Sequence, residues 1–332
     1  MEIDLSRKRI IMIHGLASKP PQSDLHEMWS SCLIENIRVD DAPLGDALER
    51  HRETVFRSAY WANATPHHLE DDEDYVTKLR VQVQNVIKAR QDIKDDFHVG
   101  REEKLGAFFK DRGLDVARIL VGALTVKDDV LKAYLREVDL YSSDQYIADR
   151  MRAPLENELR SAWESDCDVA LLAHSMGTFI GYDVLWRFSH RNDPGFTEYR
   201  NRRVQIFTTM GSPLGDTAVR DLLFARFHEQ EGIRQFPTNI DFWHNCSCLG
   251  DAVAYQNNFN SLFFEPMRSL GILPQHPVHR AIDYASLHNP FEVVEHEGNI
   301  GRERRNPHKS YGYLVQPRLG TWIADFLHGR LI

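Results

Sequence analysis

Residues 171–185, LLAHSMGTFIGYDVL, begin as an apolar run and end in small and helix-forming residues, with a serine, Ser175, at the join. Asp168 to Ala173, DVALLA, reads as a buried strand, and Met176 to Phe188 has the apolar spacing of a helix. The serine therefore stands at the carboxyl end of a strand and the amino end of a helix. Ala173 and Gly177 flank it in the arrangement A-H-S-M-G. Two small residues let strand and helix approach closely, so the turn can be sharp enough to lift a hydroxyl out of the sheet. Alanine replaces the first glycine of G-x-S-x-G; it is small enough for the turn but makes the pattern less specific.

The same alternation of elements extends outward on both sides. RIIMI, Arg9 to Ile13, reads as a short buried strand ending at His14-Gly15, and a helix follows from about Asp24, where Leu25, Met28, Trp29, Cys32, Leu33 and Ile37 recur at helical spacing. TVFRSAYW, Thr54 to Trp61, reads as a strand. After the serine come strands at Val204 to Met210, Ile240 to Trp243 and Phe291 to His296, with helices at Thr217 to Phe227 and Arg318 to Leu327. Strands separated by helices at this frequency predict an α/β fold, with a mostly parallel central sheet and helices on both faces. Ligands of such sheets gather beyond the carboxyl ends of the strands.

The pattern breaks between residues 62 and 140. This stretch is highly charged, with an acidic run at Glu70 to Asp74, and Val76, Leu79, Val83, Val86 and Ile87 recur three or four apart. GLDVARILVGALTV, residues 113–126, has apolar residues that would surround most of a helix. The reading is a core of residues 1–61 and 141–332 with a helical insertion, 62–140, that either caps a site or packs only on itself.

With 332 residues and 42% hydrophobic composition the chain can bury a sizeable core. A net charge of −9, from 49 acidic against 40 basic residues, disfavours nucleic acid as a partner. No run of about 18 apolar residues occurs, so no transmembrane helix is expected. The amino terminus lacks the features of a secretory signal, and four scattered cysteines make no disulfide framework, so the expected location is cytoplasmic. Cys246 and Cys248 form a C-x-C pair, but no further Cys or His at supporting spacing completes a metal site.

Four separated motifs, IIMIHGLAS, LLAHSMGTFIGYDVL, TTMGSPLG and NPHKSYGYL, occur in the order that the α/β-hydrolase family would give them. Together they resemble its lipase and esterase branches over most of the chain outside 62–140. The resemblance implies a serine hydrolase that cleaves carboxylic esters, small or lipid-like, through an acyl-enzyme and without a metal or organic cofactor. Amide, peptide or thioester cleavage by the same residues, or a non-catalytic binding module on this fold, remain the alternatives.

A serine hydroxyl needs a base, and the base needs a carboxylate; in this fold the chain order is Ser, acid, His. Ser175 is the expected nucleophile. His308, in the loop carrying Pro307 and Gly312, matches the base-bearing loop of lipase-like relatives, ahead of His288, His296 and His328. Asp251 follows IDFWHNCSCLG, in a loop beyond the strand at Ile240 to Trp243, and is preferred as the acid, with Asp216, one strand earlier, as its main rival; Asp241 and Asp283 read as structural, and His244 as a neighbour that packs or hydrogen-bonds. The expected oxyanion donors are the backbone amides of Leu16, after His14-Gly15, and Met176, after the nucleophile.

Overall fold

A computed structural model describes residues 4–15, 19–65, 73–93, 129–226, 231–251, 253–254, 259–274, 280–293 and 304–331. In chain order the elements are β1 (Lys8–Ile13), α1 (Gln22–Asp40), α2 (Ala42–Arg50), the single turn α3 (Arg52–Val55), β2 (Phe56–Ala59), α4 (Glu73–Ala89), α5 (Asp129–Ser143) and α6 (Gln145–Glu164). They continue with β3 (Asp168–His174), α7 (Met176–His190), β4 (Val204–Met210), α8 (Thr217–Arg226), β5 (Ile240–Cys248), α9 (Glu265–Ser269), β6 (Ala281–Leu287), β7 (Glu292–Val293), β8 (Arg304–Arg305), α10 (Ser310–Leu314) and α11 (Pro317–Leu327).

Six strands make one sheet in the order β2-β1-β3-β4-β5-β6, and every pairing in it is parallel. The continuous apolar runs follow from burial on both faces. Along β1, Ile10 and Met12 join the core beneath α1, α4 and α11, while Ile11 and Ile13 join the core beneath α5, α6, α7 and α8. From β1 the chain steps outward to β2 and returns to β3 on the other side of β1. That reversal makes the carboxyl ends of β1 and β3 the switch point of the sheet, where Gly15 and Ser175 meet.

Three strand expectations shift. In TVFRSAYW only Phe56–Ala59 is strand, because Val55 closes the helical turn α3. The strand begun at Ile240 runs on to Cys248; its polar residues break the apolar pattern but are satisfied laterally, as Asn245 accepts from Thr209 Oγ1 at 2.8 Å and donates to Asp283 Oδ1 at 2.8 Å. The sixth strand of the sheet is β6, whose Asp283 is that same partner, and not Phe291 to His296. There only Glu292–Val293 is strand, paired antiparallel with β8 in a separate ribbon, and residues 294–296 lie outside the described residues.

The described ends of the 62–140 insertion are built into the two cores. Leu79, Val83 and Val86 of α4 pack into the α1 side, and Val138 of α5, with Tyr141 just beyond the insertion, into the α7 side. Tyr141 donates to Asp183 of α7, and Arg152 of α6, also buried, donates to the same carboxylate at 2.8 Å. The apolar segment 113–126 lies outside the described residues. No helix among the described residues is long and apolar enough to cross a membrane.

Candidate active site

Ser175 caps α7 with φ 53° and ψ −124°, and is one of two non-glycine residues at positive φ among the described residues. An L side chain held there stores strain that surrounding contacts must sustain. They are present: Ser175 N–H donates to the Met210 carbonyl at 2.9 Å, and the Ser175 carbonyl accepts from Thr178 N–H at 2.9 Å and Thr178 Oγ1 at 2.7 Å. Glycine at 177 is required for the close approach, since a Cβ there would lie 2.5 Å from the His14 carbonyl oxygen. A Cβ on Gly15 would meet Ser175 Cβ at 2.8 Å. The end of β1 thus lies directly over the serine.

His308 and Asp251 complete the constellation. His308 Nε2 is 2.9 Å from Ser175 Oγ, and His308 Nδ1 is 2.9 Å from each carboxylate oxygen of Asp251. The loop before α10 is held by asparagines: Asn306 Oδ1 accepts from His308 N–H at 3.1 Å, and Asn289 Nδ2 donates to the carbonyls of Pro307 and Lys309 at 2.8 and 2.9 Å. Asp251 follows β5 and accepts Val253 N–H at 2.9 Å and the Tyr313 hydroxyl at 2.6 Å. Gly211 leaves the space between them open, as a Cβ there would lie 3.0 Å from Asp251 Oδ2 and 3.1 Å from His308 Nδ1.

Burial by itself pushes the Asp251 carboxyl up, but the neighbouring His308 charge and the hydrogen bonds from His308, Tyr313 and Val253 outweigh it and hold Asp251 below the usual carboxylate range. Tyr313 is pushed well above its ordinary value by burial and by the Asp251 charge, so its hydroxyl stays a donor. With the carboxylate ionised, His308 Nδ1 carries the proton and Nε2 is free to take one from Ser175. Met176 is the first residue of α7, so its N–H has no acceptor one turn back within the helix and lies at the positive end of the helix dipole, next to the serine. Leu16 lies outside the described residues. The preceding peptide is fixed: His14 Nε2 accepts from Trp61 N–H at 3.0 Å, which leaves Nδ1–H to donate to the Gly15 carbonyl at 3.0 Å.

The other sequence candidates lie elsewhere. Asp216 accepts Val219 N–H at 3.3 Å and caps α8. Asp241 pairs with Arg203, Asp283 with Asn245, and His328 with Asp41. His244 is buried against Trp322 with ring centroids 4.0 Å apart, and the His288 carbonyl accepts from Gln316. His296 lies outside the described residues. Cys246 and Cys248 are buried free thiols, and among the described residues no group of His, Cys, Asp and Glu is arranged to hold a metal.

Three contributors carry no sequence signal. Asn289 reaches the site through tertiary contacts alone, Tyr313 lies inside NPHKSYGYL with nothing in its spacing to mark its role, and His174 lies inside the A-H-S-M-G motif at a position that tolerates any residue. A cleft of about 700 Å³ at the β2 edge, lined among others by His26, Glu53 and Ser58, contains another serine–histidine contact, His26 Nδ1 to Ser58 Oγ at 2.8 Å. Ser58 sits within a strand and not at a helix start, so the dipole and free amide that accompany Ser175 are lacking there. Compared with models of known protein families, with curated proteins and with solved structures, the chain finds no match.

Proposed function

We propose that this protein is a serine hydrolase of the α/β-hydrolase fold that cleaves carboxylic esters through a covalent acyl-enzyme. The observation that carries the reading is the unbroken hydrogen-bonded string Ser175–His308–Asp251, built on a positive-φ turn at the switch point between β1 and β3. Ester as the bond type follows from the lipase-like character of the four sequence motifs. The sheet departs from the fold's usual form in one respect, since all six strands are parallel where such sheets usually include an antiparallel strand.

In this mechanism Ser175 Oγ attacks the ester carbonyl while His308 Nε2 takes its proton. Asp251 fixes the Nδ1–H tautomer and stabilises the imidazolium. The Met176 amide, with that of Leu16 as the resemblance implies, holds the oxyanion, each donor contributing about 10² to 10³ in rate. His308 then returns the proton to the leaving alkoxide, and water, activated by the same imidazole, releases the acid.

Incubation with a fluorophosphonate should label Ser175, and Ser175→Ala should abolish both the labelling and the hydrolysis of p-nitrophenyl acetate. Full esterase activity in Ser175→Ala would sink the proposal. Parallel assay of a p-nitroanilide separates ester from amide cleavage, with the ester expected to dominate.

A further inference from the structure

We infer that His174 is a positioning residue for this site: by donating Nε2–H to the main-chain carbonyl of His308, it clasps the base-bearing loop against the nucleophile turn. The inference rests on the reading of Ser175 and His308 as nucleophile and base. The contact is 2.7 Å long, and a carbonyl can only accept, so Nε2 must carry the hydrogen. His174 and Ser175 are adjacent in the chain. One holds the main chain of His308 and the other meets its ring at Nε2, so a single dipeptide grips both ends of the base.

The surroundings make this donor permanent. His174 is buried, in edge-to-face contact with Trp29 and with its ring centroid 4.8 Å from that of His308 and 6.0 Å from that of Tyr313. Its Nδ1 is buried without a hydrogen-bond partner among the described residues. Protonation there would place a charge in the interior beside His308, Lys19 and Lys309; burial first, then those cations, keep His174 well below the ordinary histidine range. A neutral donor holds the loop without repelling the imidazolium that His308 becomes during attack. The neighbouring carbonyls of Pro307 and Lys309 are both held by Asn289, so the His308 carbonyl is the attachment that joins this loop to the serine's own turn.

His174→Phe keeps a ring without the donor, and His174→Gln offers an amide N–H near the position of Nε2. In the Phe variant kcat for p-nitrophenyl acetate and the rate of fluorophosphonate labelling should both fall by about 10- to 100-fold, as expected when a reacting group drifts by up to an ångström, with KM nearly unchanged. The Gln variant should recover most of the loss. Nitrogen-15 spectra of the wild type should show His174 as the neutral Nε2–H tautomer from pH 5 to pH 8. Wild-type kcat in the Phe variant, no recovery in the Gln variant, or a His174 that titrates in that range would overturn the inference. Absence of labelling in the wild type would instead remove the nucleophile reading and this inference with it. Should the Phe variant fail to fold, as thermal melting would reveal, the wild-type spectra and the Gln variant decide.

Discussion

Tyr313 gives the site its tightest described anchor. Its hydroxyl accepts the Cys248 amide at 3.0 Å and donates to Asp251 Oδ2 at 2.6 Å, so one oxygen ties the end of β5 to the carboxylate. Tyr313→Phe leaves a buried carboxylate short of one donor and should cost about 1–3 kcal/mol of stability, read from urea unfolding. It should also lower kcat, because Asp251 then orients His308 less firmly. Unchanged stability and rate would show that Val253 and His308 suffice. Lys19 offers a separate test. Burial, with Lys309 nearby and only partly offset by Glu137, brings its ammonium down to about 7. The unfolded chain, with a lysine at about 10.4, binds the extra proton between those values, so stability should rise with pH across that interval. In Lys19→Met the unfolding midpoint should change less between pH 7 and pH 10 than in wild type; equal slopes would place the charge in water.

At the scale of elements, the buried link between helices is the weak point. Arg152 of α6 meets Asp183 of α7 at 2.8 Å, both side chains are almost wholly buried, and Tyr141 of α5 shares the carboxylate. Removing one charge strands the other, which typically costs about 3–5 kcal/mol. Asp183→Asn should therefore destabilise strongly in denaturant titrations; a change under about 1 kcal/mol, as at exposed pairs, would mean that Asp149, 2.5 Å from Arg152 Nη1, satisfies the guanidinium alone. How far the elements could be read from sequence depended on how local their pattern is. α7 and β3 followed from periodicity. β6 did not, because AIDYASL carries Asp283 in what should be an apolar run, and only the neighbouring Asn245 makes that carboxylate tolerable in a strand. The short β7 likewise takes its partner from β8, ten or more residues along the chain.

For the whole molecule, the fold buries the serine: Ser175 is 0% exposed, while the His308 side chain is 13% exposed. A reagent must therefore wait for neighbouring segments to part, and larger partings are rarer. Fluorophosphonates of increasing bulk should label Ser175 at decreasing rates; equal rates for the smallest and bulkiest would mean an open site. The ends of the 62–140 insertion pack into both cores, so deleting the entire segment would remove Leu79, Val83 and Val138, uncover the core residues they cover, and test stability before it tested access.

By itself the sequence determined the alternation of strands and helices and the position of a serine at a strand-to-helix turn, because apolar periodicity and small residues act over a few neighbours. With the family resemblance it preferred His308 and Asp251 as the partners of that serine, over rival histidines and aspartates. Only the tertiary structure decided that His308, 133 residues after Ser175, meets it and that Asp251, 57 positions before His308, meets the imidazole. Hydrogen bonding depends on distance in space, and no spacing along the chain encodes the path by which β5 and the loop before α10 arrive at one switch point.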